Sequence, residues 1–264
     1  MESLIFVYKH QRENHVDNNI YKLSQCDFAY NSNHIEGSKL THDQTRMIYE
    51  RNIISGTANV DDVIETKNHF ILFDYMLDTY DQVLDHDYIK SLHQILKGNT
   101  SQSKSEQNAV GDYKIHENII GDLIPTVLPK DVFSNMDFLI ESYNKLPMRT
   151  LDDIIDFHYR FEKIHPFSDG NGRVGRMIMF KECLNNDIMP FIITEDLRDF
   201  YIRGLQNYPI EKGYLRDTCL TAQDRFSEKY YPLAMSYYDI VNNCKEKPVE
   251  NELDEPDADG DYCL

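Results

Sequence analysis

Tryptophan is absent from the 264 residues, and the five cysteines, Cys26, Cys183, Cys219, Cys244 and Cys263, form no CxxC pair. Their odd number and wide scatter support neither a disulfide framework nor a zinc site. Positive charge is scarce. Lys and Arg number 27 against 45 Asp and Glu, for a formal charge of −18. Proteins that hold nucleic acid without regard to sequence present basic faces, so that class is excluded. No apolar run approaches the length of a membrane span. Met1–Val7 has a short apolar run but lacks the basic residues that open a secretory signal. There is no internal repeat. These absences predict a cytoplasmic protein with neither nucleic acid nor membrane as a partner.

Hydrophobic residues make up 41% of the chain, enough for one large core or two small ones. Met1–Val7 reads as a short strand or a docking arm. A helical pattern with Leu23, Phe28 and Ile35 starts at Tyr21 and stops at Gly37, the usual residue just past a helix end. Thr41 with Gln44 forms a capping box for the next helix. Val60 to Leu84 reads as one long helix, and Asp87 starts another that Gly98 stops, with Leu92/His93 and Leu96 on its apolar face. Residues 99–108 read as a loop. Between Gly111 and Leu128 the pattern turns short, β-branched and turn-punctuated, which predicts a β-hairpin. Helices follow from Pro129 to Tyr143 and from the Thr150-Leu151-Asp152-Asp153 capping box to His165. After Pro190, Leu197–Tyr208 and Tyr214–Tyr230 are further helices. This divides the chain into an N-terminal helical region (1–86), a core (87–226), a C-terminal helix (227–244) and an acidic tail (245–264). The tail has too few apolar residues to offset its ordering, so it is expected to be disordered.

The chemistry concentrates in His165-Pro166-Phe167-Ser168-Asp169-Gly170-Asn171-Gly172-Arg173-Val174-Gly175-Arg176. Apolar residues at helical spacing follow, so the stretch reads as a loop feeding the N-terminus of a buried helix. Such a terminus has unpaired N–H groups and partial positive charge, which suits phosphate. Gly170 and Gly172 let the backbone approach an anion. Arg173 and Arg176 lie about one turn apart, and each can grip phosphate with two bonds.

The stretch matches every defined position of His-Pro-Phe-x-(Asp/Glu)-Gly-Asn-Gly-Arg-x-x-Arg, and with the helices and hairpin the chain resembles the Fic (Fic/Doc, Fido) family across roughly residues 20 to 225. The resemblance implies a mainly α fold: a helical bundle of the Fic type with a small β-hairpin flap over the active site. It implies a protein adenylyltransferase, which moves AMP from ATP to a Ser, Thr or Tyr hydroxyl and releases pyrophosphate. In that reading His165 is the general base, as a group titrating near neutrality can be. Asp169 would hold Mg²⁺ or Mn²⁺. Asn171 and the Gly170–Gly172 amides would hold the α-phosphate, and Arg173 and Arg176 the outer phosphates. Tyr201 and Asn207 fall where the family contacts adenine or ribose; Tyr201 reads equally well as core. Glu117, Asn118, Ile119, Ile120 and Gly121 would be the flap that docks the target segment. The target would be another protein or this chain itself, and the chain could form a homodimer.

Upstream, Ser32-Asn33-His34-Ile35-Glu36-Gly37 resembles the family's inhibitory pattern (Ser/Thr)-x-x-x-Glu-(Gly/Asn). The resemblance implies that Glu36 pairs with Arg176 and takes the cation meant for the γ-phosphate, with Ser32 holding the glutamate. A carboxylate near a helix C-terminus opposes the dipole, which also favours a functional reason for Glu36. Two other readings stay open. Glu36 could orient water for removal of AMP from a modified protein, or the chain could be an ATP-binding regulator without catalysis.

Overall fold

The computed structural model describes residues 2–16, 19–120 and 124–245. Helix α1 spans Glu2–Glu13, α2 Ile20–Ile35, α3 His42–Arg51, α4 Val60–Asp78 and α5 His86–Lys97. Strands β1 (Ile119–Ile120) and β2 (Ile124–Pro125) pair antiparallel. Then come α6 (Pro129–Asn144), α7 (Leu151–Ile164), α8 (Asn171–Asn185), α9 (Arg198–Asn207), α10 (Gly213–Lys229) and α11 (Tyr231–Lys245). The fold is mainly α, a helical bundle with one small β-hairpin.

The helix starts follow local chemistry. Asn19, Asn59 and Asp85 each accept a first-turn backbone N–H at the starts of α2, α4 and α5. Thr41 and Thr150 complete reciprocal capping boxes with Gln44 and Asp153. Pro129 sits at the start of α6, where no N–H is needed.

Helix α8 is the axis. Every residue from Asn171 to Leu184 is buried, because α2, α4, α5 and α7 all pack on it. Burying Met177, Ile178 and Phe180 contributes roughly 1.5–3 kcal/mol each. Its buried Lys181 is answered by Glu182 at 2.7 Å, and Tyr143 donates to the same carboxylate at 2.8 Å. This is how a helix surrounded by core carries two charges.

Three expectations change. Residues 2–7 are neither a strand nor an arm: they are the first turns of α1. Leu4, Ile5, Val7 and Tyr8 form a buried face, and Phe6 meets Tyr238 of α11 edge-on at 5.6 Å. Tertiary packing overrides the β-preference of Ile-Phe-Val. The expected helix to Leu84 stops at Asp78, where Thr79 bonds back to the Tyr75 carbonyl at 2.7 Å. The next helix is then capped by Asp85, two residues before Asp87. One hydrophobic cluster runs from Leu4 to Ala234 and takes in side chains of α1, α2 and α4, while Ala29, Leu40, Ile48 and Phe70 form a smaller one. The acidic stretch beyond Lys245 and Gly121 of the hairpin lie outside the described residues. No described helix is long and apolar enough to cross a membrane.

Candidate active site

His165 terminates α7. Its φ of 53° places it in the left-handed region, and its N–H closes the helix on the Phe161 carbonyl at 2.9 Å. Pro166 cannot continue the helix, so the chain turns there. The side chain is half-buried, and its Nδ1 faces the Glu162 carbonyl at 3.4 Å. That contact favours a proton on Nδ1 and a lone pair on Nε2. Burial, with repulsion from Lys114, lowers the His165 pKa to about 4. The imidazole is therefore an unprotonated base at neutral pH.

The loop from Phe167 to Gly170 is braced on all sides. The buried Phe167 ring stacks on His93 of α5, centroids 3.9 Å apart and planes 9° apart. His93 accepts from the Gly111 N–H at 3.0 Å through Nδ1, so its Nε2 donates to the Asp169 carbonyl at 3.0 Å. Burial holds its pKa at about 4, which keeps this single tautomer. Gly170 caps α8 at φ 81°, and a Cβ there would crowd Lys97 Cδ at 3.3 Å. The first bond inside α8 runs from the Val174 N–H to the Gly170 carbonyl at 3.1 Å. The amides of Asn171, Gly172 and Arg173 are thus left without a helical acceptor.

The Asn171 side chain does something other than expected. Its Oδ1 accepts from the Phe167 N–H at 2.8 Å and its Nδ2 donates to the Phe167 carbonyl at 2.9 Å. Both ends of the amide are thus spent on fixing the loop.

The two arginines meet carboxylates from upstream helices. Arg176 Nη2 donates to Glu36 Oε1 at 2.7 Å and to the Ser32 carbonyl at 2.9 Å, and Nε donates to Ser32 Oγ at 3.1 Å. Burial opposes the Arg176 charge, but the attraction and hydrogen bond of Glu36, together with its other acidic surroundings, raise the pKa. A Cβ on Gly172 would collide with Glu36 Oε1. The glutamate therefore lies against the first turn of α8, where an anion would sit. Ser32 bonds the arginine rather than the glutamate.

Arg173 pairs with Glu65 of α4, which also takes Lys97 of α5. Lys97 Nζ donates to Asp169 Oδ2 at 2.7 Å, and Arg173 lies 3.5 Å from the same carboxylate. Burial pushes the Asp169 carboxyl up, but Arg173 and Lys97 hold it well below the usual range. Glu65 and Lys97 escaped sequence reasoning. The only trace was a lysine one turn past His93 on an apolar helix face.

Tyr201 lies beneath this layer. It is buried, its hydroxyl bonds His158 Nε2 at 2.7 Å, and Arg176 sits over its ring at 5.8 Å. It supports Arg176 from the core rather than presenting a face to a base. Asn207 spends its amide on the Arg203 carbonyl one turn back at 2.8 Å and joins none of these residues. Glu162, just before His165, has a buried Oε1 without a partner. Burial first, then Glu36, raise its pKa to about 8. At the hairpin base, Asn118 donates to the Phe167 carbonyl at 2.9 Å and accepts from Lys114 Nζ at 2.6 Å. The base of the hairpin is thereby tied to the motif loop.

A divalent cation prefers oxygen donors. Asp169 fits as one ligand, with a carboxylate 40% exposed. No group of three or more His, Cys, Asp or Glu that could hold a metal occurs among the described residues. The remaining ligands would have to be phosphate oxygens and water.

A profile of the Fic/DOC family matches residues 83–183. The chain is 22% identical over 240 residues to protein adenylyltransferase fic-1 of Caenorhabditis elegans, covering 86% of this chain and 46% of that protein. It is 26% identical over 206 residues to protein adenylyltransferase Fic of Nematostella vectensis, covering 68% of this chain and 42% of that protein. The chain thus spans less than half the length of these curated relatives. A Fic domain-containing signaling protein from Bacteroides thetaiotaomicron superposes with a TM-score of 0.65 at 21% identity, covering 94% of this chain and 99% of that one. Motif, fold and matches agree that residues 83–183 carry a domain of the Fic/DOC family.

Proposed function

We propose that this protein is an adenylyltransferase that moves AMP from ATP to a Ser, Thr or Tyr hydroxyl of a protein, another chain or itself. The observation that carries the reading is the placement of His165 at the end of α7, one short loop before the arginine-flanked N-terminus of α8. His165 Nε2 takes the proton of the target hydroxyl as its oxygen attacks the α-phosphorus. The new O–P bond forms, the bond to the β-phosphate oxygen breaks, and pyrophosphate leaves. The first-turn amides of α8 meet the charge that grows on the α-phosphate, and Arg173 and Arg176 receive the leaving phosphates. Mg²⁺ or Mn²⁺ on Asp169 would neutralise phosphate charge. The hairpin offers backbone to a target segment as an added strand. A homodimer and a cytoplasmic setting belong to the same proposal; free, buried Cys26, Cys183 and Cys219 suit a reducing compartment.

The Glu36–Arg176 pair makes this an autoinhibited enzyme. While Glu36 holds Arg176, an ATP γ-phosphate loses a cation and meets a carboxylate. Misplaced phosphates lose in-line geometry, and small misplacements cost large rate factors. The same carboxylate, 32% exposed, supports a second reading in which it orients a water for removal of AMP from a modified protein.

The test is intact-mass spectrometry after incubation with ATP and Mg²⁺ or Mn²⁺. The Glu36→Gly protein should gain AMP on itself or on an added target, and Glu36→Gly/His165→Ala should not. If the doubly substituted protein supports the same cellular function as wild type, the chain is an ATP-binding regulator instead. A pre-modified target that loses AMP only with Glu36 present identifies the reverse reaction.

A further inference from the structure

Beneath the site lies a closed ring of alternating charge. Glu65 Oε1 accepts from Lys97 Nζ, and Lys97 Nζ donates to Asp169 Oδ2 at 2.7 Å. Arg173 Nη2 approaches the same oxygen at 3.5 Å, and Arg173 Nη1 returns to Glu65 Oε2. Exposure separates the members. Lys97 and Arg173 are 2% and 4% exposed, Glu65 13% and Asp169 40%. Asp169 is thus the one member open to the ligand side. Lys97 acts from below and through it. The lysine stem cannot swing freely, because it lies against Gly170 at the start of α8.

The ring contains two carboxylates and two fixed cations, so Asp169 has no spare negative charge for a lone divalent ion. Such an ion would bind the carboxylate that already carries an ammonium, with Arg173 a few ångströms away. Like charges this close, in a partly desolvated place, repel strongly. Nucleotide phosphates change the balance, because they bring several negative oxygens on the exposed side.

We propose that Lys97 is a positioning residue that guards Asp169 against free divalent cations, so that the metal enters only together with nucleotide phosphates. Glu65 holds Lys97 and Arg173 in register for this. The proposal rests on Asp169 as the metal contact of the transferase reading, and its test is independent of transfer activity. Mn²⁺ binding to the nucleotide-free full-length chain is titrated and followed by electron paramagnetic resonance. Lys97→Met should bind Mn²⁺ tighter than wild type by roughly tenfold or more, from the lost repulsion. Lys97→Arg, which keeps the charge, should match wild type. Lys97→Met/Asp169→Asn should lose the gain. Equal Mn²⁺ affinity in folded Lys97→Met and wild type overturns the proposal, as does a gain that survives Asp169→Asn. Should Lys97→Met fail to fold by circular dichroism, Lys97→Gln takes its place, with the same two outcomes. A Mn²⁺ gain without any AMP transfer would count against the transferase reading and leave the guard intact.

Discussion

Replacing Glu36 by Gln removes one charge and little else. The side chain keeps its length and an oxygen that can still accept from Arg176. Arg176 keeps its bonds to the Ser32 carbonyl and hydroxyl. A charge-assisted hydrogen bond contributes about 1.5–3 kcal/mol and a neutral one about 0.5–1.5. The variant therefore loses about 1–2 kcal/mol of hold on Arg176, a factor of roughly 5–30 in the fraction released. Release frees the cation for a phosphate and removes a carboxylate from the face of Gly172. Stability should change less than the bare loss of a buried pair suggests. Glu36 is a third exposed, and Arg176 keeps its two bonds to Ser32. The assay is the initial rate of pyrophosphate release at subsaturating ATP, with AMP on protein followed by intact mass. Glu36→Gln should run roughly 5–30 times faster than wild type, by the same arithmetic, with a similar melting temperature. A rate no higher than wild type, in a protein that melts normally, would refute the idea that this ion pair is the brake.

Three further outcomes follow from the same geometry. With the His165 pKa at about 4, log(kcat/KM) should stay flat from roughly pH 6 to 8; an acid limb centred near the ordinary histidine value of about 6.5 would contradict the lowered pKa, and its persistence in His165→Ala would remove His165 as the base. Glu162 binds its proton more tightly folded, at a pKa of about 8, than unfolded, near about 4.3. Its contribution is complete below pH ~4.3 and is lost as pH rises toward 8. The melting temperature of Glu162→Gln relative to wild type should therefore climb by a few degrees over that window, and a flat difference would contradict the raised pKa. Thr150→Ala removes the capping box of α7 and should cost about 1 kcal/mol in urea unfolding without changing ATP affinity; a large affinity loss would mean that α7 tunes His165 more directly than its fixed C-terminal end suggests.

The helices were legible because their signals are local. A threonine with an acid or amide three residues on marks a start wherever the chain goes, and both such boxes form. The motif was legible because the loop and helix start it encodes are contiguous. What could not be read were choices made by contact at a distance. Ile5-Phe6-Val7 has strand-forming side chains, yet the first element is helical because α11 and α2 bury that face. Asn171 looks like a free amide in a phosphate loop, but the chain doubles back so that Phe167 consumes both ends of it. Tyr201 has the ring a base could stack on, but the structure turns that ring under Arg176. Glu65 is one acid among many on α4, and only the fold reveals that it touches both Lys97 and Arg173.

The two upstream carboxylates hold different arginines and differ in exposure, and that difference sets what each can do. Glu36 is a third exposed and lies over Gly172 in the first turn of α8. Any phosphate that takes Arg176 must first displace it, so it competes. Glu65 is 13% exposed and contacts Arg173 from beneath, with buried Lys97 on its other oxygen. A phosphate on the open side of Arg173 need not displace it. Removing Glu65 would leave buried Lys97 and Arg173 to share Asp169 as their one carboxylate, whereas Glu36 can be exchanged for a ligand of the same charge. One carboxylate is thus a replaceable stand-in for a phosphate and the other a part of the floor. The consequence is an opposite sign in the same assay. Glu36→Gln should raise nucleotide turnover, while Glu65→Gln should lower it and raise KM. If both substitutions raise turnover, Glu65 is a second brake and the distinction drawn from exposure is wrong.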